Sequence, residues 1–398
     1  MTRRIAVLGS TGSVGRQALD VLRQFQNVYQ ISALSGYSNI NLLMEQALEF
    51  KPRFVIVKDD DARQALLNNW PNQEKAPEIL IGESGLCDVA SHTDIETVLI
   101  GIVGFAGLQP TFAALKAGKT LLTGNKESIV TAGHLLQPYL SQILPLDSEH
   151  SAISQCLAGA KNPQTEIHKV YLTASGGPFL NTPLDEFETI TPEQALKHPK
   201  WSMGNRISID SASMMNKGFE RIEAQVLFNL PSEKIDVVIH PQSIVHSAVA
   251  YVDGSILCQM GTTDMRLPIL YGLAYPERWP IHEASCQLDL TTLGQLDFRP
   301  IEADRFPCLG LAEEASRLGG SYLTVLNAAD EMAVEAFLNG QITWLDLPHV
   351  IEQALDSHAR DFIASPDLET ITTIDAACRE QFLVRLNQSK MHAHPVFS

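Results

Sequence analysis

Residues 207–228, ISIDSASMMNKGFERIEAQVLF, bring an amide, an ammonium and two carboxylates onto one short segment. Read as a helix, the segment can be capped by Asp210 or Ser211, and Leu227 and Phe228 close its apolar side. Asn216 and Glu220 stand four apart, and Lys217–Glu220 and Glu220–Glu223 stand three apart, spacings that share a helical face. With Ser211 and Ser213 just upstream, such a set can hold an anion and a hard cation side by side. The same pattern suits a solvated face with internal ion pairs.

Other polar clusters follow apolar runs. Residues 120–123 read as a strand ending in Gly124-Asn125-Lys126-Glu127, and 143–146 as a strand ending in Asp147-Ser148-Glu149-His150. In an extended segment Asp147 and Glu149 point the same way and offer two hard oxygen ligands; the alternative for either cluster is a helix cap. Ser175-Gly176-Gly177, after a strand at 170–174, presents a hydroxyl and backbone N–H groups to an anion, or is a plain turn. The stretch 196–206, LKHPKWSMGNR, reads as a loop that can close over a ligand with Trp201 as an apolar lid and His198 as a polar contact, or as a surface loop with one anchoring aromatic.

The elements that must position these residues begin with a strand at 5–8, a glycine turn Gly9-Ser10-Thr11-Gly12-Ser13-Val14-Gly15, a helix to about residue 25 and a strand at 31–34. This is a βαβ unit whose glycines let a pyrophosphate approach a helix N-terminus. The loop after the second strand, Ser35-Gly36-Tyr37-Ser38-Asn39, carries no acid, which favours NADPH over NADH. Strands at 54–57 and 98–103 and a helix at 110–117 extend the pattern, so the carboxyl-end clusters fall in the ligand crevice of an open parallel sheet. A second sheet is expected from strands at 170–174, 236–240, 244–252 and 255–260, the last two joined by Asp253-Gly254. His240 and His246 read as structural. Helices at 309–318, 325–338, 347–355 and 374–386 predict a C-terminal bundle. The fold class is therefore α/β: a Rossmann-like domain (1–150), a central α+β catalytic and dimerisation domain (151–275), a linker (276–306) and a helical domain (307–398).

Composition bounds the function. A chain of 398 residues has material for two or three domains. Its 46 acidic against 29 basic residues give a formal net charge of −17, which argues against nucleic-acid or anionic-membrane binding. An anionic substrate must then be held by a local site working against the global field. The longest apolar run, 97–108, is too short and glycine-rich to span a bilayer. MTRRIAVLGS enters a strand at once, so no leader is expected. Six scattered cysteines without a CxxC pattern predict reduced thiols and a cytoplasmic location.

Seven runs in order along the chain resemble one family: GSTGSVG (9–15), GNKES (124–128), PLDSEH (145–150), ASGGPF (174–179), HPKWSMG (198–204), DSASMMNKGFE (210–220) and HPQSIVHS (240–247). They resemble 1-deoxy-D-xylulose 5-phosphate reductoisomerase. The resemblance implies homodimers that convert that ketose phosphate to 2-C-methyl-D-erythritol 4-phosphate with NADPH and Mg²⁺ or Mn²⁺, in the non-mevalonate isoprenoid pathway. It implies metal ligands at Asp147, Glu149 and Glu220. Phosphate contacts fall at Ser175, His198, Ser211, Asn216 and Lys217, and contacts to the oxygenated carbons at Lys126, Ser148 and Glu149. Trp201 and Met203 lie in the closing loop, and catalytic roles are expected of Lys126, Glu149 and His198. NADPH contacts are expected at Thr11, Gly12, Ser13, Val14, Asn125, Glu127 and Gly204, with Gly36 and Asn39 from the second-strand loop. Lys200 stands where the family usually has Asn, Ala174 for Gly and Ser213 for Thr, and Tyr37-Ser38 for the Gly-Lys of some members. The alternatives are another NADP-dependent oxidoreductase of homoserine or semialdehyde type, or a non-catalytic dinucleotide sensor, neither of which needs the three carboxylates.

Overall fold

The computed structural model describes residues 2–71, 73–197 and 204–392. They fall into two compact units. One is built from Met1–Ser128, Pro138–Ser151 and Asp264–Gln287, and the other from Ile129–Gln137, Ala152–Thr263 and Leu288–Ser398.

The first unit is an open parallel sheet. Its strands are β1 (Arg3–Leu8), β2 (Tyr29–Ser35), β3 (Phe54–Val57), β4 (Glu78–Ile81), β5 (Thr97–Ile100), β6 (Thr120–Thr123) and β7 (Ile143–Pro145), in the order β4-β3-β2-β1-β5-β6-β7. Every neighbouring pair is parallel. The strand order reverses between β1 and β5, which makes the crevice above their carboxyl ends the ligand position of such a sheet. Ile5, Ala6, Val7 and Leu8 are wholly buried, as a strand covered on both faces requires. β5 stops at Ile100, short of the expected 103, because Gly101 and a left-handed Gly104 (φ 80°) turn the chain away and leave Val103 exposed. The helices Asp60–Asn69, Gly82–Ser91 and Arg266–Ala274 and the strand β4 add to the elements expected from the sequence. The segment Asp264–Gln287 belongs to this unit: the Tyr29 hydroxyl donates to the Leu273 carbonyl at 2.8 Å, and the Phe25 and Trp279 rings lie 4.9 Å apart.

The second unit holds β8 (Ile167–Ala174), β9 (Ile235–Ile239), β10 (Val245–Tyr251) and β11 (Ile256–Met260), in the order β11-β10-β8-β9. β8 and β9 are parallel; the β8–β10 and β10–β11 pairs are antiparallel. The expected Asp253-Gly254 turn closes the last hairpin, with Gly254 at φ 87° and the Asp253 carboxylate accepting from Ser255 N at 2.8 Å. The helices Pro307–Leu318, Tyr322–Leu338, Asp346–His358 and Leu368–His392 form the bundle.

The segment 207–228 is not one helix. It belongs to two, Asn205–Ser213 and Met215–Phe228, broken at Met214 in the left-handed region (φ 65°, ψ 9°). Asp210 and Ser211 therefore sit inside a helix rather than capping one. Ser213 competes locally for backbone partners: its hydroxyl donates to the Asp210 carbonyl and accepts from Met215 N, both at 3.3 Å. Both helices share a core with the bundle, where Ile209, Ala212, Met215, Phe219 and Ile222 join Leu326, Ala329, Ala333 and Phe337. A Cβ on Gly218 would lie 2.3 Å from the Ala312 Cβ, so glycine sets how closely Met215–Phe228 approaches Pro307–Leu318.

Gly218→Ala is expected to lower stability by about 1–2 kcal/mol, because overpacking outweighs the roughly 1 kcal/mol gain in helix propensity. Adding Ala312→Gly should restore the approach, giving a favourable coupling of about 1 kcal/mol in a denaturant double-mutant cycle. Additive effects would show that the two helices do not meet at this pair.

Candidate active site

In the first unit the glycine turn lies at the carboxyl end of β1. Gly9 is left-handed (φ 86°), and its hypothetical Cβ would stand 2.8 Å from the Gly101 backbone. A Cβ on Gly15 would come within 2.2 Å of the Gly9 carbonyl. The helix Ser13–Gln24 thus begins hard against the turn. Its N-cap is Gly12, with no side-chain cap, so its first N–H groups are left for a ligand. Ser35 fixes the turn from β2, accepting from Gly9 N at 2.7 Å. Beneath it, buried Gln46 accepts from the Ser10 hydroxyl at 2.7 Å and donates to the Ser10 carbonyl at 3.0 Å. Ser35 and Gln46 are support residues that the motif did not reveal; the only trace was a glutamine at a core spacing, three after Leu43. Gly36 leaves room for Thr11, whose Cγ2 would be 2.8 Å from a Cβ there. The Asn39 side-chain oxygen caps Ile40–Phe50, accepting from Leu42 N at 3.0 Å.

At the carboxyl ends of β5 and β6, Asn125 is a staple. Its amide donates to the carbonyls of Ile102 (2.9 Å) and Gly104 (2.8 Å) and to the Glu127 carboxylate (3.0 Å), while its oxygen accepts from Ser128 N at 3.1 Å. Asn125 is wholly buried and Glu127 nearly so, so the pair ties the ends of β5 and β6 together from within.

After β7, Asp147 stands at the head of the helix Ser148–Cys156. Its carboxylate accepts from Glu149 N at 3.1 Å, pairs with the Lys126 ammonium at 2.9 Å and lies 3.0 Å from Nδ1 of His150, which is wholly buried. Glu149 is thus in a helical first turn, not in an extended run beside Asp147, because Asp147 caps the helix. The Ser148 hydroxyl donates to the Glu149 carboxylate. The Lys126–Asp147 pair is about nine-tenths buried on each side, which fixes both side chains in a charge-assisted contact.

In the second unit the Ser175-Gly176-Gly177 turn follows β8 with φ of 84° and 67° at its glycines. The Ser175 hydroxyl accepts from Gly177 N at 3.1 Å. A Cβ on Gly177 would lie 2.9 Å from the Ala212 Cα and 3.1 Å from the Ser211 carbonyl, so only glycine lets the turn rest on the end of Asn205–Ser213. The turn that Ser175 opens and the helix end that carries Ser211, far apart in sequence, are thereby brought together. On the next helix the Lys217 ammonium is ion-paired with the Glu220 carboxylate, which also accepts from the Asn216 amide at 2.5 Å. Lys217, Glu220 and Glu223 are all buried, so the solvated-face reading fails. Gly204 opens Asn205–Ser213, and its carbonyl accepts from Ser208 N at 3.1 Å and from the Ser208 hydroxyl at 2.9 Å. His198, Trp201 and Met203 lie outside the described residues. His240 is structural, as expected: Nε2 accepts from Ile244 N and Val245 N, which places the proton on Nδ1 facing the Asp297 carbonyl at 2.8 Å.

Profiles described as 1-deoxy-D-xylulose 5-phosphate reductoisomerase match residues 5–133 and, for its C-terminal domain, 143–228; a DXP reductoisomerase C-terminal domain matches 260–381. The chain belongs to the 1-deoxy-D-xylulose 5-phosphate reductoisomerase family. A relative of that name from Halalkalibacterium halodurans is 47% identical over 94% of this chain and 97% of its own. One from Crocosphaera subtropica is 45% identical over 96% of each. Among solved structures, a DOX-P reductoisomerase in complex with NADPH, fosmidomycin and magnesium superposes with a TM-score of 0.91 at 42% identity, over 98% of this chain and 99% of that one. The Zymomonas mobilis reductoisomerase in complex with NADPH gives 0.86 at 39% identity, over 97% and 99%. The dehydrogenase and sensor alternatives are set aside by these full-length matches.

Gly15→Ala is expected to weaken NADPH binding at least about tenfold by displacing the helix start from the turn, with the fold retained. Quenching of protein fluorescence on NADPH titration measures it; unchanged affinity would remove the turn from the cofactor site.

Proposed function

We propose that the chain converts 1-deoxy-D-xylulose 5-phosphate to 2-C-methyl-D-erythritol 4-phosphate by rearrangement and reduction, using NADPH and a divalent cation, in the non-mevalonate isoprenoid pathway. The observation that carries this reading is the full-length match to a reductoisomerase crystallised with NADPH, fosmidomycin and magnesium.

The residues fit both groups. The Gly9–Gly15 cradle, which any Cβ would fill, and the uncapped start of Ser13–Gln24 suit a pyrophosphate. Thr11, Gly12, Ser13, Val14, Gly36, Asn39, Asn125, Glu127 and Gly204 would contact the cofactor. Asp147, Glu149 and Glu220 would hold the cation; their donors are carboxylate oxygens, which suit Mg²⁺ or Mn²⁺. When bound, NADPH supplies the hydride, and the cation supplies positive charge beside the substrate's carbonyl and hydroxyl oxygens.

The chain's own residues supply the rest. Lys217 and the hydroxyls of Ser175 and Ser211, with the Asn216 amide, hold the phosphate dianion. This local cation and donor set answers the −17 net charge. In this reading Lys126, ion-paired with Asp147, binds a substrate oxygen or assists proton transfer there, and Ser148 and Glu149 contact the neighbouring oxygens; the pairing of Lys126 with Asp147 and of Ser148 with Glu149 supports it. His198 adds to the phosphate pocket, and Trp201 and Met203 exclude water over the substrate. In this reading the seven-stranded unit carries the dinucleotide, and the four-stranded unit with its bundle carries the phosphate.

Two copies pair in this reading, supported by the edge strand β11, on which Ile256 and Leu257 are exposed. The proposed compartment is the cytoplasm, supported by six cysteines that are all free. Among the described residues no helix is long and apolar enough to cross a membrane.

The decisive assay follows NADPH absorbance with 1-deoxy-D-xylulose 5-phosphate, with and without Mg²⁺, and with NADH in parallel. Metal-dependent oxidation is expected, and faster with NADPH; oxidation indifferent to metal would overturn the carboxylate assignment. Glu220→Gln should abolish turnover with NADPH affinity intact. Lys217→Ala should raise KM for the sugar phosphate about 10- to 100-fold, the loss of one charge-assisted bond set. A normal KM would place the phosphate elsewhere.

A further inference from the structure

Arg206 lies in the first turn of Asn205–Ser213, five residues before Ser211. Its guanidinium reaches the bundle helix Tyr322–Leu338. Nη1 donates to Glu331 Oε1 at 2.5 Å, and Nη2 to Asn327 Oδ1 at 3.2 Å and to Asp330 Oδ2 at 3.4 Å. Nε stands 3.5 Å from Asp210 Oδ2, one turn along its own helix. From the last helix, Arg379 takes the other Glu331 oxygen at 2.5 Å and grips Asp375 at 2.7 and 2.9 Å. Two guanidinium groups thus face four carboxyls in one largely buried cluster.

The apolar face of Asn205–Ser213, Ile209 and Ala212, sets how deep the helix lies in the core. It does not set register, because hydrophobic contact is non-directional. The left-handed break at Met214 disconnects the helix from the one that follows. Register nevertheless matters here: the Ser175-Gly176-Gly177 turn touches the Ser211 carbonyl and the Ala212 Cα with no room for a methyl group. A slide of about one ångström opens or jams that contact, a misplacement able to cost orders of magnitude in rate. The planar, multiply bonded guanidinium is the directional element that prevents it.

We propose that Arg206 is a positioning residue for the sugar phosphate, fixing the Asn205–Ser213 helix so that Ser211 and Ser175 present their hydroxyls to one phosphate. The proposal rests on the reading of Ser211 as a phosphate ligand. It also carries a pH signature. Burial pushes the Asp330 carboxyl up to about 6, opposed by Arg206. The other groups facing this cluster are Asp210, Glu331, Asp375, Arg379 and, near Asp330 and Asp210, Cys308. A carboxyl raised in the folded state gives its stabilisation below the ordinary carboxylate range and loses it as pH rises through its folded value, here about 6. Above that pH the ionised Asp330 depends on Arg206. Removing Arg206 lifts Asp330 further, so the deficit of the variant grows from pH 6 to pH 8.

The test compares Arg206→Met, Arg206→Lys and Ser211→Ala by steady-state kinetics with Mg²⁺ and NADPH. For Arg206→Met, KM for the sugar phosphate is expected to rise at least about tenfold with NADPH affinity kept, and the ratio to the parent enzyme to grow between pH 6 and pH 8. Arg206→Lys should recover part of the loss. If Ser211→Ala raises KM and Arg206→Met leaves it unchanged, the positioning role is overturned while the phosphate reading stands. If Ser211→Ala leaves KM unchanged, it is the phosphate reading that fails. Should Arg206→Met not fold, Glu331→Gln keeps the packing and weakens the clamp; it should give a smaller KM rise in the same direction, and an unchanged KM overturns the proposal.

Discussion

Burial of charge is the constraint from which the second unit follows. Lys217, Glu220 and Glu223 lie on one helix and are nearly inaccessible to water. An ion moved out of water loses several kcal/mol of solvation unless partners replace the lost contacts. The Lys217–Glu220 pair and the Asn216 bond supply part of that compensation within the helix. The apolar side of the same helix, Phe219 and Ile222, anchors it in the bundle core and leaves the charged side to face its partners. A pocket that keeps such groups dry offers a phosphate or a cation interactions stronger than water allows, since screening is weakest where the charges are buried.

The first unit solves a related problem with backbone. Its glycine turn offers N–H groups rather than cations, and these require close approach instead of desolvated charge. At the ends of β6 and β7 that unit buries charge as well: Lys126 pairs with Asp147, which also contacts His150, and Glu127 is buried nearby. Here the carboxylate that accepts the Lys126 ammonium, Asp147, is a helix cap. One carboxylate serves local helix geometry and ion pairing together, so the strand-end position is fixed twice.

Much of this was legible in the sequence. The parallel sheet was announced by apolar strands ending in polar clusters, and the hairpin by Asp253-Gly254; both signals are local. The chemistry-bearing residues were legible by type and spacing, because Asn216, Lys217 and Glu220 meet within one helix. What was not legible depends on contacts distant in sequence or on backbone outliers. Met214 carries no glycine signal for its left-handed turn, so 207–228 read as one helix. Asp147 and Glu149 read as an extended pair because periodicity does not show where a strand hands over to a cap. The cap made by Asn39 and the staple made by Asn125 were not legible either, because an asparagine in a polar loop shows its type but not its backbone partners. Arg206 pairs with Glu331 across 125 positions, a separation at which spacing carries no information.

The break at Met214 ties these observations together. A non-glycine residue in the left-handed region costs about 1–2 kcal/mol, yet a continuous helix here would have a single axis and a single carboxyl end. Breaking it gives Ser211 and Ala212 a helix end that can lie against the glycine turn, while Asn216, Lys217 and Glu220 start a second helix with its own direction. Met214 itself is buried, so the strained residue is held by packing rather than left to relax. Strain of this kind persists only where the surroundings over-determine it. Here the surroundings are the Ser213 hydroxyl, bonded on both sides of the break, and the common core that grips Ile209 on one helix and Phe219 on the other. The residues that read as one amphipathic helix are therefore two, and the bend between them lets hydroxyls carried on the first and charges carried on the second take separate directions.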